Sequence, residues 1–197
     1  MTIRVVSAQQ AAELDRRAIA SGIPSRQLMQ AAGRAAALLI VERFPLEAER
    51  GVAVFAGPGK NGGEAWVVAG ELARRGLRVR VAEVAPAQTP DAIAERETAS
   101  ASLRHAPPDG TEGVIVDGLL GTGAKGAPRD AIADAIERIE IRRERHRNDP
   151  SPARVVALDV PSGLDATTGD MPGRCVHADL TVTFGSLKRG LLCNRDA

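Results

Sequence analysis

Residues 55–65 read FAGPGKNGGEA and mark an abrupt change in the character of the chain. The run that ends there, VAVFA (52–56), is short and apolar, as is typical of a buried strand. The residues that follow, 64–75, carry a helical pattern that Gly76 ends. Four glycines and one proline between the two elements predict a tight strand-to-helix turn.

This turn formally contains the spacing G-x-G-x-x-G at Gly57, Gly59 and Gly62. Glu83 follows 21 residues after Gly62, where a dinucleotide-binding fold places the acid that holds a ribose. Bare backbone lets N–H groups approach a phosphate, and the N-terminus of the next helix favours its negative charge. Because the motif is weak by itself, a tight turn that binds no ligand is the competing interpretation.

The remainder of the chain repeats the alternation of strand and helix. A capping box at Ser7 and Gln10 predicts a first helix that runs to about Ser21. Further helices are predicted at 26–43, 64–75, 91–105 and 129–147, and strands at 52–56, 77–85, 113–120, 154–160 and 178–185. Such alternation indicates a parallel sheet with helices on both faces. We therefore expect an α/β fold, a Rossmann-like three-layer αβα sandwich with a mostly parallel central sheet, preceded by two N-terminal helices, in a single domain over 1–197.

Composition excludes several classes of protein. The net charge is +1, and aromatic residues make up 2% of the chain with no tyrosine, which argues against a nucleic-acid-binding surface. Cys175 and Cys193 form neither a disulfide framework nor a zinc spacing. No apolar run approaches membrane-spanning length, and the first residues lack the apolar core of a signal peptide. We expect a cytoplasmic protein with no nucleic-acid or membrane partner.

Loops that follow parallel strands gather at one edge of the sheet, so every strand exit is a candidate ligand contact. The second exit reads GLLGTGAKGAP (118–128), in which Thr122 and Lys125 suit a phosphate. A simple turn is the competing interpretation of this loop. An ordinary NAD-dependent dehydrogenase needs no second glycine-rich loop, so its presence argues against that class.

The third exit, DVPSGLD (159–165), places Asp159 at a strand end, where acid–base chemistry is usually found. A carboxylate that only holds local backbone N–H groups is the alternative. Asp117, Asn61 and Ser162 are oxygen donors with no thiol or imidazole among them. This set favours a hard cation over zinc.

Five stretches occur in fixed order between residues 28 and 192: LMQAAGRAA (28–36), GPGKNGGEA (57–65), VDGLLGTGAKGAPR (116–129), ALDVPSGLDATTGD (157–170) and ADLTVTFGSLKRGLL (178–192). Together they resemble the NAD(P)HX epimerases, also called the YjeF N-terminal domain. The resemblance implies interconversion of the R and S epimers of hydrated NADH and NADPH (NADHX and NADPHX). It also implies one potassium ion per subunit, a homodimer, and an S-specific, ADP- or ATP-dependent dehydratase as pathway partner. A C-terminal dehydratase domain is not expected in this chain.

The resemblance also implies roles for individual residues. Substrate contacts are expected at Lys60, Asn61, Gly62, Gly63, Glu64, Gly121, Thr122, Gly123, Ala124, Lys125, Gly126 and Asp159. The potassium ligands implied are Asn61, Asp117 and Ser162. Asp159 is the expected catalytic acid–base residue, with Lys188 as a nearby catalytic cation. The alternative for Lys188 is an exposed lysine in a turn.

Four positions depart from the family pattern: Lys60 and Gln30 stand for Asn and Glu, while Glu64 and Ala65 stand for Asp and Gly. Lys60 would pair with a ligand phosphate, repel the cation, or substitute for its charge. Gln30 removes a negative charge expected near the site. These changes keep a second hypothesis open, a diverged member that binds a nucleotide-like ligand or a protein partner without turnover.

Overall fold

The computed structural model describes residues 4–103, 106–145 and 149–194. In chain order the strands are β1 (Val5–Val6), β2 (Val52–Ala56), β3 (Val79–Glu83), β4 (Val114–Gly118), β5 (Arg154–Leu158), β6 (Leu180–Val182) and β7 (Leu187–Lys188). Five of them form a central sheet in the order β3-β2-β4-β5-β6, and every neighbouring pair is parallel. β1 and β7 form a separate parallel pair. The predicted Rossmann-like parallel sheet is therefore confirmed.

The strand order decides where a ligand can lie. The chain steps from β2 to β3 on one side of β2 and then returns to β4 on its other side. The connections that leave β2 and β4 therefore run in opposite directions along the sheet. An open parallel sheet forms a ligand crevice beyond the carboxyl ends of two strands whose connections separate in this way. This is the five-stranded flavodoxin-like order rather than the six-stranded order of dinucleotide-binding dehydrogenases.

The helices are α1 (Ala8–Ala20), α2 (Ser25–Arg43), α3 (Pro45–Glu49), α4 (Lys60–Arg74), α5 (Pro90–Ser100), α6 (Asp130–Arg145) and α7 (Gly190–Cys193). The capping box predicted at Ser7 is present, since Ser7 Oγ accepts from the Gln10 N–H at 3.2 Å and Gln10 Oε1 accepts from the Ser7 N–H at 2.9 Å. α4 begins at Lys60 rather than at the predicted residue 64, because the glycine pair 62–63 is helical and not part of the turn. α3, α7, β1 and β7 are too short to carry a periodic signal, and the sequence did not predict them.

Side chains of each strand alternate between two cores, one on each face of the sheet. Val52, Val54 and Ala56 of β2 face a core shared with α2, α4 and α5, whereas Ala53 and Phe55 face a second core beneath α6. The two cores confirm the three-layer architecture.

Helices α2 and α4 approach each other closely. A Cβ added to Gly33 of α2 would lie 2.5 Å from the Cβ of Val67 in α4, so only glycine fits at this crossing. Among the helices of the described residues, none is long and apolar enough to cross a membrane.

Candidate active site

A cleft of about 550 Å³ opens beyond the carboxyl ends of β2 and β4. Its walls come from residues 58–61 and Glu64 after β2, residues 119–124 after β4, and Asp159 after β5. Three of the four strand exits that the sequence predicts to converge therefore line one cleft. The fourth exit, after β6, leads to Lys188, which pairs with Asp159.

Helix α1 supplies a wall of the cleft that the sequence did not predict. Ala12, Asp15 and Arg16 line this wall, although α1 has no buried residue of its own. The helix is anchored where β1 pairs with β7 and where the Ala8 N–H donates to Thr167 Oγ1 at 2.9 Å. The polar character of the sequence AQQAAELDRRAIA indicates that this helix does not pack into a core.

Three glycines of residues 57–63 are needed for packing within the protein, and Gly59 is the exception. A Cβ on Gly57 would lie 1.9 Å from the Leu119 carbonyl oxygen, and one on Gly62 would lie 1.8 Å from the Gly57 carbonyl oxygen. A Cβ on Gly63 would lie 2.5 Å from the sulfur of Met29. Gly62 and Gly63 are buried, so their predicted substrate contacts would have to be made by backbone alone.

The second loop is more open to the cleft. Gly121, Thr122, Gly123 and Ala124 line it. A Cβ on Gly123 would meet no heavy atom of the described residues within 4 Å. The structure does not bring Lys125 and Gly126 to the cleft wall; both are exposed beyond it.

Asp159 and Lys188 form the central charged pair of the site. Lys188 Nζ donates to Asp159 Oδ1 and, at 2.6 Å, to the carbonyl oxygen of Phe184. Lys188 is only 2% exposed, so the alternative of an exposed turn lysine is wrong. Pairing of β7 with β1 holds its backbone in place.

The backbone of Asp159 adopts a left-handed conformation, with φ of 65°. Such a conformation costs a non-glycine residue about 1–3 kcal/mol and persists where the surrounding structure enforces it. The Asp159 N–H donates to the Val182 carbonyl at 2.8 Å, and Oδ2 accepts from the Thr122 N–H at 3.4 Å. The carboxylate therefore bridges the second loop and Lys188 rather than holding only its own turn.

A second polar cluster lies deeper, at the end of β4. Asp117 accepts from the Ser162 N–H at 2.8 Å, from Ser162 Oγ at 2.6 Å and from the Leu119 N–H at 3.1 Å. Burial raises the pKa of Asp117 to about 6, and the hydrogen bonds from Ser162 and Leu119 oppose that rise. Asp117 and Ser162 thus hold each other behind the cleft wall, where Ser162 Oγ also accepts from the N–H of the cleft-lining Leu120 at 2.9 Å.

Asn61 connects this cluster to the first loop. Its Nδ2 donates to the Leu120 carbonyl at 2.8 Å, whereas its buried Oδ1 has no hydrogen-bond partner within the described part of the chain. A buried amide oxygen without a partner is costly, and a cation would satisfy it. Nowhere in the described ranges do three or more His, Cys, Asp or Glu side chains gather in a group that could hold a metal ion. A cation here would therefore depend on amide, hydroxyl and carbonyl oxygens as well as Asp117, a donor set that suits a hard ion.

Glu64 stands on the cleft wall, half-buried, and makes no side-chain hydrogen bond or ion pair to any residue the structure describes. Burial and the negative charge of Asp159 raise the pKa of Glu64 to about 8, while the positive charge of Lys188 opposes them. Lys60, the first residue of α4, also lines the cleft but is exposed.

Gln30 does not line the cleft. The loss of negative charge that the sequence suggested near the site therefore lies outside the cleft wall. Its Nε2 donates to Glu95 Oε1 of α5 at 2.7 Å, and Arg26 Nε donates to the same oxygen at 2.6 Å. Gln30 is therefore part of the packing between α2 and α5.

The site can now be compared with known proteins. A family described as "YjeF-related protein N-terminus" matches residues 25–190. The bifunctional NAD(P)H-hydrate repair enzyme Nnr of Hyperthermus butylicus is 38% identical over 190 residues, which cover 89% of this chain and 33% of that enzyme. This chain spans about a third of the length of the bifunctional relatives that it matches.

Two further similarities extend over most of both chains. The NAD(P)H-hydrate epimerase of Cenarchaeum symbiosum is 34% identical over 204 residues, covering 97% of this chain and 89% of the relative. The crystal structure of yeast ynu0 (YNL200c) superposes with a TM-score of 0.79 at 25% identity, covering 95% of this chain and 83% of the yeast chain. On the match over residues 25–190 and these similarities, the chain belongs to the family of the YjeF-related protein N-terminus.

Proposed function

We propose that this protein is an NAD(P)H-hydrate epimerase, which interconverts the R and S forms of hydrated NADH and NADPH. The observation that carries the proposal is the Asp159–Lys188 pair in a cleft lined by both glycine-rich loops. Similarity to an NAD(P)H-hydrate epimerase over 89% of that protein's length supports the same activity.

The chemistry of the site suits this reaction. Inversion at C6 of the hydrated ring requires a bond to that carbon to break and to re-form on the opposite face, with protons moved on each side. Asp159 is oriented for such a transfer by Lys188 Nζ and the Thr122 N–H. The N-terminus of α4, together with Lys60, favours the negative charge of the substrate's phosphates.

One potassium ion per subunit is part of the proposal. The unpartnered Oδ1 of Asn61 supports it most strongly, and Asp117 and Ser162 would supply further oxygens. The bound ion would supply positive charge behind the cleft wall. Potassium should raise the melting temperature of the wild type more than sodium does, and Asn61→Ala should lose that difference.

The remaining partners stay predictions from the sequence. They are an S-specific, ADP- or ATP-dependent dehydratase, a homodimer, a cytoplasmic location, and no nucleic-acid or membrane contact. Light scattering during size-exclusion chromatography would measure the oligomeric state directly.

A coupled assay tests the proposed activity. An excess of the S-specific dehydratase with ATP or ADP first consumes the S form of NADPHX, which leaves the R form. The chain is then added in potassium or in sodium buffer, and NADPH absorbance is followed. Acceleration over the spontaneous rate supports the epimerase. A folded protein that binds NADPH without any acceleration would instead support the diverged binder, for which the substitution at Lys60 is the structural argument.

A further inference from the structure

We infer that Glu64 is the proton donor of the epimerisation and that Asp159 is its proton acceptor. The inference rests on the proposed function, and it gives a chemical task to a residue that was expected only to contact substrate. It follows from the different partners of two carboxyl groups that line the same cleft.

Asp159 is arranged to accept a proton. Its Oδ1 accepts from Lys188 Nζ and its Oδ2 from the Thr122 N–H, so both oxygens face donors. A carboxylate placed between two donors can take a proton from the substrate but has none to give at the start of turnover. A second group must protonate the atom that leaves C6.

Glu64 is the ionisable group on the cleft wall that fits this need. Its carboxyl group has no hydrogen-bond or ion-pair partner among the described residues, so it is available to a ligand. Arg16, which lines the cleft from α1, does not release a proton in proteins and pairs with Glu13 at 2.5 Å. Asp15 and Lys60 are exposed to solvent, whereas Glu64 is half-buried.

The charges around Glu64 favour its protonated form. Burial and the charge of Asp159 raise its pKa to about 8, Asp15 adds to the rise, and Lys188 and Lys60 oppose it. Glu64 is therefore mainly protonated at neutral pH, which is the state that a proton donor needs. Two neighbouring carboxyl groups held in opposite protonation states are a recurring basis for acid–base assignment.

The proton transfers balance for either bond that can break. In ring opening, Asp159 removes the proton of the C6 hydroxyl while Glu64 protonates the ring nitrogen, which takes the C6–N1 electron pair and leaves an aldehyde. After rotation about C5–C6, the nitrogen attacks the other carbonyl face, Glu64 recovers its proton, and Asp159 returns its own to oxygen. If water leaves instead, Glu64 protonates the C6 hydroxyl as C6–O breaks. Asp159 then takes a proton from the water that adds to the opposite face, and solvent restores both groups.

The test compares wild type, Glu64→Gln, Glu64→Asp and the control Glu97→Gln, an exposed glutamate on α5. The R-to-S rate is measured across neutral and alkaline pH. The wild-type rate should fall as pH rises through about 8, where Glu64 loses its proton. Glu64→Gln should lower the rate by about 10²–10⁴-fold and abolish this alkaline fall. Glu64→Asp should restore most of the rate with a displaced alkaline limb, and Glu97→Gln should match wild type.

The outcomes separate the inference from the function on which it rests. If wild type does not accelerate epimerisation, the proposed function fails. If wild type is active and Glu64→Gln keeps its rate and its alkaline fall, the function stands and the inference is overturned. Circular dichroism and the melting temperature report whether each variant is folded. Should Glu64→Gln not fold, the comparison of wild type with Glu64→Asp decides, because an identical alkaline limb in both would overturn the inference.

Discussion

The first glycine-rich loop, taken with the first residues of α4 as 57–63, and the second loop (121–126) contribute to the same cleft, yet their glycines meet different surroundings. Added Cβ atoms on Gly57 and Gly62 would lie within 2 Å of backbone carbonyl oxygens. An added Cβ on Gly123 would lie in open space among the described residues. The two loops have similar sequences. The absence of a side chain makes room for backbone carbonyl oxygens at Gly57 and Gly62, and leaves open space at Gly123.

Gly57 and Gly62 make room for backbone atoms of the protein itself, whereas Gly123 leaves open space on the cleft wall. In the first loop the G-x-G-x-x-G spacing is explained by packing, since Gly57 touches the exit of β4 and Gly62 touches Gly57. Gly59 is the exception there, with open space around it in the described structure. In the second loop, Gly123 has open space around it in the described structure, whereas a Cβ on Gly121 would lie 3.3 Å from the Cβ of Asn61.

Gly62→Ala should lower the free energy of unfolding by about 3 kcal/mol or more, at the upper end of overpacking costs. The reason is that the new methyl group would lie 1.8 Å from a carbonyl oxygen that cannot rotate away. Urea denaturation followed by circular dichroism measures the change. A loss of under about 1 kcal/mol would show that the first loop can yield, and the structural explanation of its glycines would be wrong.

Glu64, just beyond the first loop, should make stability depend on pH. Its folded pKa of about 8 lies above the ordinary value, so the unfolded chain releases this proton first as pH rises. The stabilisation from protonated Glu64 is complete below about pH 4 and is lost progressively up to about pH 8. The free energy of unfolding of Glu64→Gln, measured relative to wild type, should therefore rise by at least about 2 kcal/mol between pH 5 and pH 8. Parallel stability curves for the two proteins would contradict the raised pKa.

The lysines of the two loops should differ in their effect on ligand affinity. Lys60 lines the cleft, whereas Lys125 lies outside its wall. Lys60→Asn should weaken NADPH binding by about 5–20-fold at low salt, and less at high salt, because an exposed charge pair is lost. Lys125→Asn is the matched control and should leave affinity unchanged. Titration calorimetry measures both, and equal losses would mean that the second loop also binds through its lysine.

Gly123→Ala should have the smallest effect on the fold. The added methyl group meets no described neighbour, so the free energy of unfolding should change by less than about 0.5 kcal/mol. The same denaturation experiment used for Gly62→Ala measures it. A large loss of stability would show that glycine is needed for packing in the second loop as well as in the first.

The parts of the molecule that the sequence predicted correctly follow from periodicity and from one topological rule. Alternating strands and helices predicted the three layers, and the gathering of strand exits at one edge placed the two loops and Asp159 together. Lys188 was harder to place, because its burial depends on a pairing of two-residue strands from opposite ends of the chain. Contacts across such sequence distances leave no local pattern.

Other features depended on tertiary contacts that the sequence does not show. The wall formed by α1 follows from where β1 docks, and the role of Gln30 follows from the position of Glu95 on α5. The strand-to-helix turn was predicted correctly at Gly57 and Gly59, but Gly62 and Gly63 belong to α4. The packing role of this glycine spacing became visible only when Leu119 and Met29 were in place beside it. Sequence patterns predicted which residues lie close together, but not the tertiary contacts that require each of them.

The most direct test of the central claim follows the epimers themselves. One purified epimer of NADPHX is incubated with catalytic amounts of wild type or Asp159→Asn, and the other epimer is quantified by chromatography over time. The account predicts that every mixture reaches the same equilibrium ratio, that wild type reaches it far faster than buffer alone, and that Asp159→Asn loses at least about 100-fold of the acceleration. A folded wild type that leaves the spontaneous rate unchanged, or an Asp159→Asn variant as fast as wild type, would contradict it.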